Sequence, residues 1–241
     1  MGVLGSQGIG VAATATERTP RPLEVHAHRG GAGLAPENTL AAFRKGMELG
    51  ADALEMDLHV TRDGEIVVIH DETLERTTDG VGSVAALTLK ELKRPDAGVK
   101  FAPSFRGERV PTLREVIALV KATGNTRIRL DLELKYHPDR PGTPEDFEQR
   151  VLEILRETGF VLRVNIISFH HPSLATMKAL EPGIRTGLLA GGRQAPQDPV
   201  ALVRQYHADY YSPSFRHLTA EVVAALHQAG IPIVPWTVNE E

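Results

Sequence analysis

Apolar positions along the chain recur with two periods. Alternating runs of strand length fall at 24–28, 53–60, 66–70, 128–134, 164–168, 186–189, 210–212 and 231–237. Between most of them lie stretches of helical spacing, at 39–49, 113–122, 144–157, 172–180, 199–206 and 219–229, as with Leu113, Val116, Ile117 and Val120. Start and stop signals agree with these boundaries. Asn38-Thr39 precedes Leu40, Thr219 stands ahead of Glu221, and Gly50, Gly159 and Gly230 follow helices where a left-handed stop is expected.

Strand alternating with helix predicts parallel pairing, and so many repeats favour an α/β fold of the TIM-type (βα)8 barrel over an open sheet. One junction differs. Thr61-Arg62-Asp63-Gly64 is too short for a crossover helix, and Asp-Gly is a hairpin signal, so 66–70 is expected to fold back antiparallel on 53–60. That register brings His70 opposite Asp57 or Met56. The stretch 72–111, rich in Gly, Pro and charge, reads as an excursion over one end of the barrel, with a short helix near 88–93. The chain stops just after the seventh parallel strand, so the final helix–strand–helix of a closed barrel, roughly 30 residues at typical element lengths, is expected to be missing.

Composition narrows this picture without redirecting it. The Gly-, Ala- and Thr-rich residues 1–22 make a poor signal peptide and read as a flexible leader to a single barrel domain, 23–241. The expected compartment is the cytoplasm, with a secreted or periplasmic one left open. The chain has 27 basic and 31 acidic residues, net charge −4, with no basic stripe, so no nucleic-acid partner is expected. No apolar run is long enough for stable membrane insertion, and association into a homo-oligomer is left open. The absence of cysteine removes disulfides, thiolate metal sites and cysteine nucleophiles.

The chemistry lies in the strands. In Leu54-Glu55-Met56-Asp57-Leu58, alternation turns Glu55 and Asp57 to one face; at 130–135 it does the same for Asp131, Glu133 and Lys135. A barrel interior is normally apolar, and burying several carboxylates costs several kcal/mol each unless positive charge is present. A divalent cation answers that cost, and oxygen ligands without sulfur suit Mg²⁺ or Ca²⁺; a Lys/Arg network without metal is the plainer alternative. His28 and Arg29 end the first strand, where catalytic groups sit in this architecture. His28 could exchange a proton and Arg29 could grip a phosphate. His70 arrives on the hairpin beside the acids, giving two imidazoles that flank one acidic pocket. Phe169 and Trp236 sit at strand ends, positioned to wall a pocket, although single aromatics there are core residues as often. His59 reads as solvent-side, His26 as structural, and His137, His170 and His171 carry no usable spacing.

Taken in order, His28-Arg29-Gly30, Pro36-Glu37-Asn38-Thr39, Glu55-Met56-Asp57, Thr61-Arg62-Asp63-Gly64, His70-Asp71, Pro111-Thr112-Leu113, Glu133-Leu134-Lys135, Ser168-Phe169 and Trp236-Thr237-Val238-Asn239 resemble the glycerophosphodiester phosphodiesterase family. The resemblance implies hydrolysis of a small-molecule glycerophosphodiester to sn-glycerol 3-phosphate and an alcohol, with one divalent cation. It implies Glu55, Asp57 and Glu133 as metal ligands, His28 and His70 as general acid and base, Arg29 and Lys135 on the phosphate, and Trp236 near the glycerol. It also implies a cyclic phosphate intermediate opened by water, alongside direct attack by water.

Two other readings compete. The same chemistry could act on a lysophospholipid or phosphatidylinositol, but the loops 137–142 and 190–198 are polar and proline-rich, which favours a soluble substrate. A noncatalytic metal- or phosphodiester-binding barrel would keep the carboxylates without needing both histidines.

Overall fold

The computed structural model describes residues 23–136, 143–192 and 196–239; the expected leader at 1–22, the whole loop 137–142 with His137, and part of the loop 190–198 lie outside them. Its elements run β1 (His26–Ala27), α1 (Leu40–Glu48), β2 (Ala53–Val60), β3 (Ile66–Val68), α2 (Leu89–Leu92), α3 (Leu113–Ala122), β4 (Arg129–Leu134), α4 (Phe147–Glu157), β5 (Val164–Ser168), α5 (His171–Leu180), β6 (Arg185–Ala190), α6 (Pro199–Gln205), β7 (Tyr210–Pro213) and α7 (Ala220–Gln228). Helices start where a side chain can satisfy the free first-turn N–H groups. Thr39, Thr88, Thr112, Asp198 and Thr219 each accept a backbone N–H at their helix, and Glu91 and Glu115 complete capping boxes.

The sheet order is β1-β2-β4-β5-β6-β7, all parallel, with β3 antiparallel on β2. The expected hairpin is therefore present. Its register pairs Leu58 with Val68, which carries His70 to the level of Met56. The sheet curls as part of a barrel. Among the described residues no strand pairing joins β1 to the far edge of the sheet.

The expected seventh parallel strand, 231–237, does not form as a regular strand. It makes only isolated parallel bridges, Ile233 to Tyr211 and Trp236 to Ser214. Val234 N and Trp236 N donate to Tyr211 O and Pro213 O at 2.9 Å. Pro213 of β7, however, has no N–H to return to Val234 O, which accepts from the Ser212 hydroxyl at 2.7 Å instead, so the ladder is interrupted between the two bridges. The first strand is likewise shorter than expected, because His28 already belongs to a tight helical turn.

Packing explains where polar groups collect. Leu54, Met56, Leu58, Leu130, Leu132 and Leu134 face outward into one core with Leu113, Val116 and Val120 of α3 and Val151, Leu152 and Leu155 of α4. The inward faces divide. Ile167, Leu189 and Tyr210 make an apolar cluster on one side, with Val234 and Trp236 against it. The opposite side carries Glu55, Asp57, Asp131 and Glu133, all buried. The excursion has its own small core of Val67, Ile69, Leu74, Val84, Leu92, Ala97 and Val110, which fixes the path of the loop after β3.

Candidate active site

Residues 28–30 form the tight turn after β1. Arg29 adopts a left-handed conformation (φ 50°), unusual outside glycine, and its backbone N–H donates to Glu55 Oε2 at 2.7 Å. Gly30 follows at φ 80°, where a Cβ would lie 2.6 Å from Phe43 Cδ1 and 2.9 Å from Phe43 N. Only glycine lets the turn press onto α1, and this aims His28 and Arg29 across the open end of the sheet.

The parallel register sets Glu55 beside Asp131 and Asp57 beside Glu133. Side-chain length and partners then separate the four. Asp131 turns to a different cluster, accepting from Asn165 Nδ2 at 2.5 Å and pairing with His26 Nδ1. Glu55, Asp57 and Glu133 instead bring carboxylate oxygens within 4.8 Å of one another. Lys135 reaches in from the end of β4, its Nζ 2.9 Å from Asp57 Oδ1 and 2.5 Å from Glu133 Oε1. Arg29 Nε lies 3.5 Å from Asp57 Oδ2.

Charge is unevenly balanced there. Burial, reinforced by Asp57 and Glu133, pushes the Glu55 carboxyl well above its ordinary range. Burial likewise drives Glu133 up to about 7, against the pull of Lys135. Burial opposes ionisation of Asp57 too, yet Lys135 and Arg29 hold it at about 2. Three buried acids share one close ammonium. That deficit of positive charge, together with an all-oxygen donor set, is what a hard divalent cation would satisfy. The residues present fit such an ion.

The two histidines flank this group, close enough for the charge of His70 to bear on His28. His28 Nε2 lies 3.9 Å from Glu55 Oε2, and burial, then the neighbouring Arg29, lowers its pKa to about 4. His70 sits differently. Its Nδ1 meets Asp71 Oδ1 at 2.6 Å, which fixes the ring and leaves Nε2 as the nitrogen outside that contact; burial still lowers its pKa. His59 is not solvent-side as expected. Its Nε2 lies 3.1 Å from the His70 carbonyl oxygen, so the ring is half-buried and supports the loop that carries His70. His26 pairs with Asp131 through Nδ1, its Nε2 3.5 Å from Glu24 Oε2.

Phe169 and Trp236 meet edge to face at 5.7 Å between centroids. Phe169 is exposed, while Trp236 donates from Nε1 to Ser212 O at 2.9 Å and forms one wall at the apolar side. Three residues with no chemical role in the sequence reading also belong to the site. Asn38 donates from Nδ2 to Asp57 Oδ2 at 2.6 Å and accepts from Asp57 N at 3.3 Å. Glu37 binds Arg29 Nη1 at 2.8 Å. Arg76 binds Glu37 and Asp71 together. In the sequence, Glu37 and Asn38 stand out as helix-start residues and as part of the Pro36–Thr39 motif of the family resemblance, with no role attached, and Arg76 gives no local signal.

The glycerophosphoryl diester phosphodiesterase family matches residues 28–241 of this chain. The chain belongs to the glycerophosphoryl diester phosphodiesterase family. A glycerophosphodiester phosphodiesterase from Caldanaerobacter subterraneus subsp. tengcongensis is 39% identical over 222 residues, covering 90% of this chain and 86% of that protein. The structure resembles that of an Oleispira antarctica phosphodiesterase in complex with the product sn-glycerol 3-phosphate, with a TM-score of 0.79 and 30% identity over 90% of this chain and 85% of that one. It also resembles the glycerophosphodiester phosphodiesterase of Thermotoga maritima, with a TM-score of 0.68 and 25% identity over 90% and 85% of the two chains. The chain is accordingly an enzyme, a phosphodiesterase built on a curled parallel sheet of the TIM-barrel type.

Proposed function

We propose that this enzyme hydrolyses soluble glycerophosphodiesters to sn-glycerol 3-phosphate and an alcohol, with one Mg²⁺ or Ca²⁺ held by Glu55, Asp57 and Glu133, and with His28 and His70 moving the protons. The observation that carries the reading is the convergence of two imidazoles from separate loops on one buried acid triad. A noncatalytic binding barrel would need the triad alone.

A cation held there would draw electron density from a phosphoryl oxygen and offset the charge that builds on the phosphate oxygens. The chain's own residues do the rest. Arg29 and Lys135 present their cationic groups to the phosphate and stabilise it most as negative charge spreads over its oxygens. One imidazole accepts the proton of the attacking hydroxyl as its oxygen bonds to phosphorus. The other donates a proton to the alcohol oxygen as its bond to phosphorus breaks. A glycerol hydroxyl as attacker gives a cyclic phosphate, which water opens with the two histidines in reversed roles. Both imidazoles are depressed toward the neutral form in the free enzyme, and the arriving phosphodiester anion is the charge that favours protonation of one of them. Trp236 and Phe169 wall the cavity on its apolar side, on the glycerol or alcohol portion.

The test is turnover of glycerophosphocholine by His28→Ala and His70→Ala beside the parent protein. Each loss should be at least about 10²-fold, the low end for general acid–base catalysis. A near-normal rate in either variant removes that residue from the mechanism. Faster release from lysophosphatidylcholine than from glycerophosphocholine would move the substrate to the lysophospholipids.

A further inference from the structure

Arg76 lies on the loop that follows β3, in the stretch held by the excursion's own small core. Its guanidinium makes four hydrogen bonds to two carboxylates. Nε and Nη2 donate to Asp71 Oδ2 and Oδ1 at 2.6 and 2.9 Å, while Nη1 and Nη2 donate to Glu37 Oε2 and Oε1 at 2.9 and 2.7 Å. Each carboxylate continues inward. Asp71 holds the Nδ1 side of His70 at 2.6 Å, and Glu37 holds Arg29 Nη1 at 2.8 Å. Arg29 in turn contacts Glu55 through its backbone and Asp57 through its side chain. A continuous chain of charge-assisted hydrogen bonds therefore joins the turn after β1 to the loop after β3, and Arg76 is its middle link.

The exposed position of Arg76 suggests a surface ion pair, and isolated surface pairs contribute little. This arrangement is different in kind. A planar fork gripping two carboxylates at once fixes their separation and orientation, which a single ion pair does not. The side-chain hydrogen bonds of Arg76 go to Asp71 and Glu37, so its link to His70 and Arg29 runs through those two carboxylates.

We propose that Arg76 is a positioning residue that sets the placement of His70 relative to Arg29 by clamping Asp71 to Glu37. The inference rests on the acid–base role given to His70 above. Its consequence is that geometry at the two sides of the phosphate is adjusted from outside the cavity. A misplacement of a catalytic group by about 1 Å can lower a rate by about 10². Lysine at 76 would keep the charge but supply one nitrogen where the fork supplies three.

The experiment measures kcat and KM for glycerophosphocholine in the full chain and its Arg76→Ala, Arg76→Lys, His70→Ala and Arg76→Ala/His70→Ala variants, with thermal unfolding of each. Arg76→Ala is expected to lower kcat by about tenfold or more, and Arg76→Lys to recover only part of it. In the His70→Ala background the same Arg76→Ala change should cost less than about threefold, because the residue it positions is gone. Equal losses in the two backgrounds, a kcat unchanged in Arg76→Ala, or full rescue by lysine would each overturn the proposal. If Arg76→Ala does not fold, the same cycle is run with Arg76→Lys and judged by the same non-additivity. Full turnover in His70→Ala would refute the acid–base reading itself, and this inference with it; loss in His70→Ala with an indifferent Arg76 would refute this inference alone.

Discussion

The Lys135 ammonium, arriving from the end of β4, stands 2.9 Å from Asp57 Oδ1 on β2. This pair decides how the acidic group is charged. Asp57 stays ionised because Lys135 is there, while Glu55 and Glu133 are pushed by burial toward their neutral forms. The lysine therefore meets part of the charge deficit and leaves the remainder to a bound cation.

Replacing Lys135 with methionine should separate the two tasks given to it. The triad loses its resident positive charge and should hold a divalent cation more tightly, while the phosphate loses a donor. Turnover is expected to fall about 10²–10³-fold, as for removal of one electrostatic stabiliser. Cation titration of the residual activity, set beside kcat/KM, checks both. Turnover within about threefold of the parent would show that Lys135 does not serve the transition state.

Glu133 gives a pH prediction with a definite sign. Its carboxyl titrates at about 7 in the folded, cation-free protein and at 4.5 when unperturbed. The folded state therefore holds the proton more tightly than the unfolded one, and this group's contribution is fully present below pH 4.5 and lost as pH rises through about 7. In chelator, the parent should lose thermal stability relative to Glu133→Gln across that window. The histidines titrate in both proteins and cancel in the difference. Added cation should abolish the difference in slope by favouring the ionised carboxylate. Parallel pH curves in chelator would contradict the account.

Asn38 should prove as sensitive as an acid ligand. Its amide answers both the side chain and the backbone of Asp57, from a left-handed position (φ 58°) that asparagine and aspartate tolerate well. Asn38→Asp keeps the shape, removes the donor and adds a like charge, so a loss of about 1–3 kcal/mol is expected in chelator by chemical denaturation. Part of it should return with cation. A change below about 0.5 kcal/mol, as for an ordinary surface substitution, would place the clamp outside the site's support.

How far the site was readable follows from the range of each signal. Alternation is a local property, so it put Glu55 and Asp57 on one face, and the Asp63-Gly64 turn brought His70 to the level of Met56. Asp131 obeys the same alternation yet points to His26 and Asn165, contacts between strands distant in sequence. The clamp of Arg76 on Glu37 spans 39 residues and depends on the packing of the excursion, which has no periodic pattern. Nearness to the turn suggests a solvent position for His59, yet its ring is half-buried and meets the carbonyl of His70, a contact from the returning strand that local pattern does not show. The stretch 231–237 has the apolar pattern of a strand, but its partner β7 offers Pro213 where an N–H is needed, which leaves bridges in place of a ladder.

The most direct measurement of the central claim is release of sn-glycerol 3-phosphate from glycerophosphocholine by the full chain, with Mg²⁺, with Ca²⁺ and with chelator, in the parent and in Glu55→Gln. Release is expected to depend on added cation, to disappear with chelator, and in Glu55→Gln to require far more cation or fail. Release that persists in chelator, or a cation dependence unchanged by Glu55→Gln, would contradict a metal-assisted reaction at Glu55, Asp57 and Glu133.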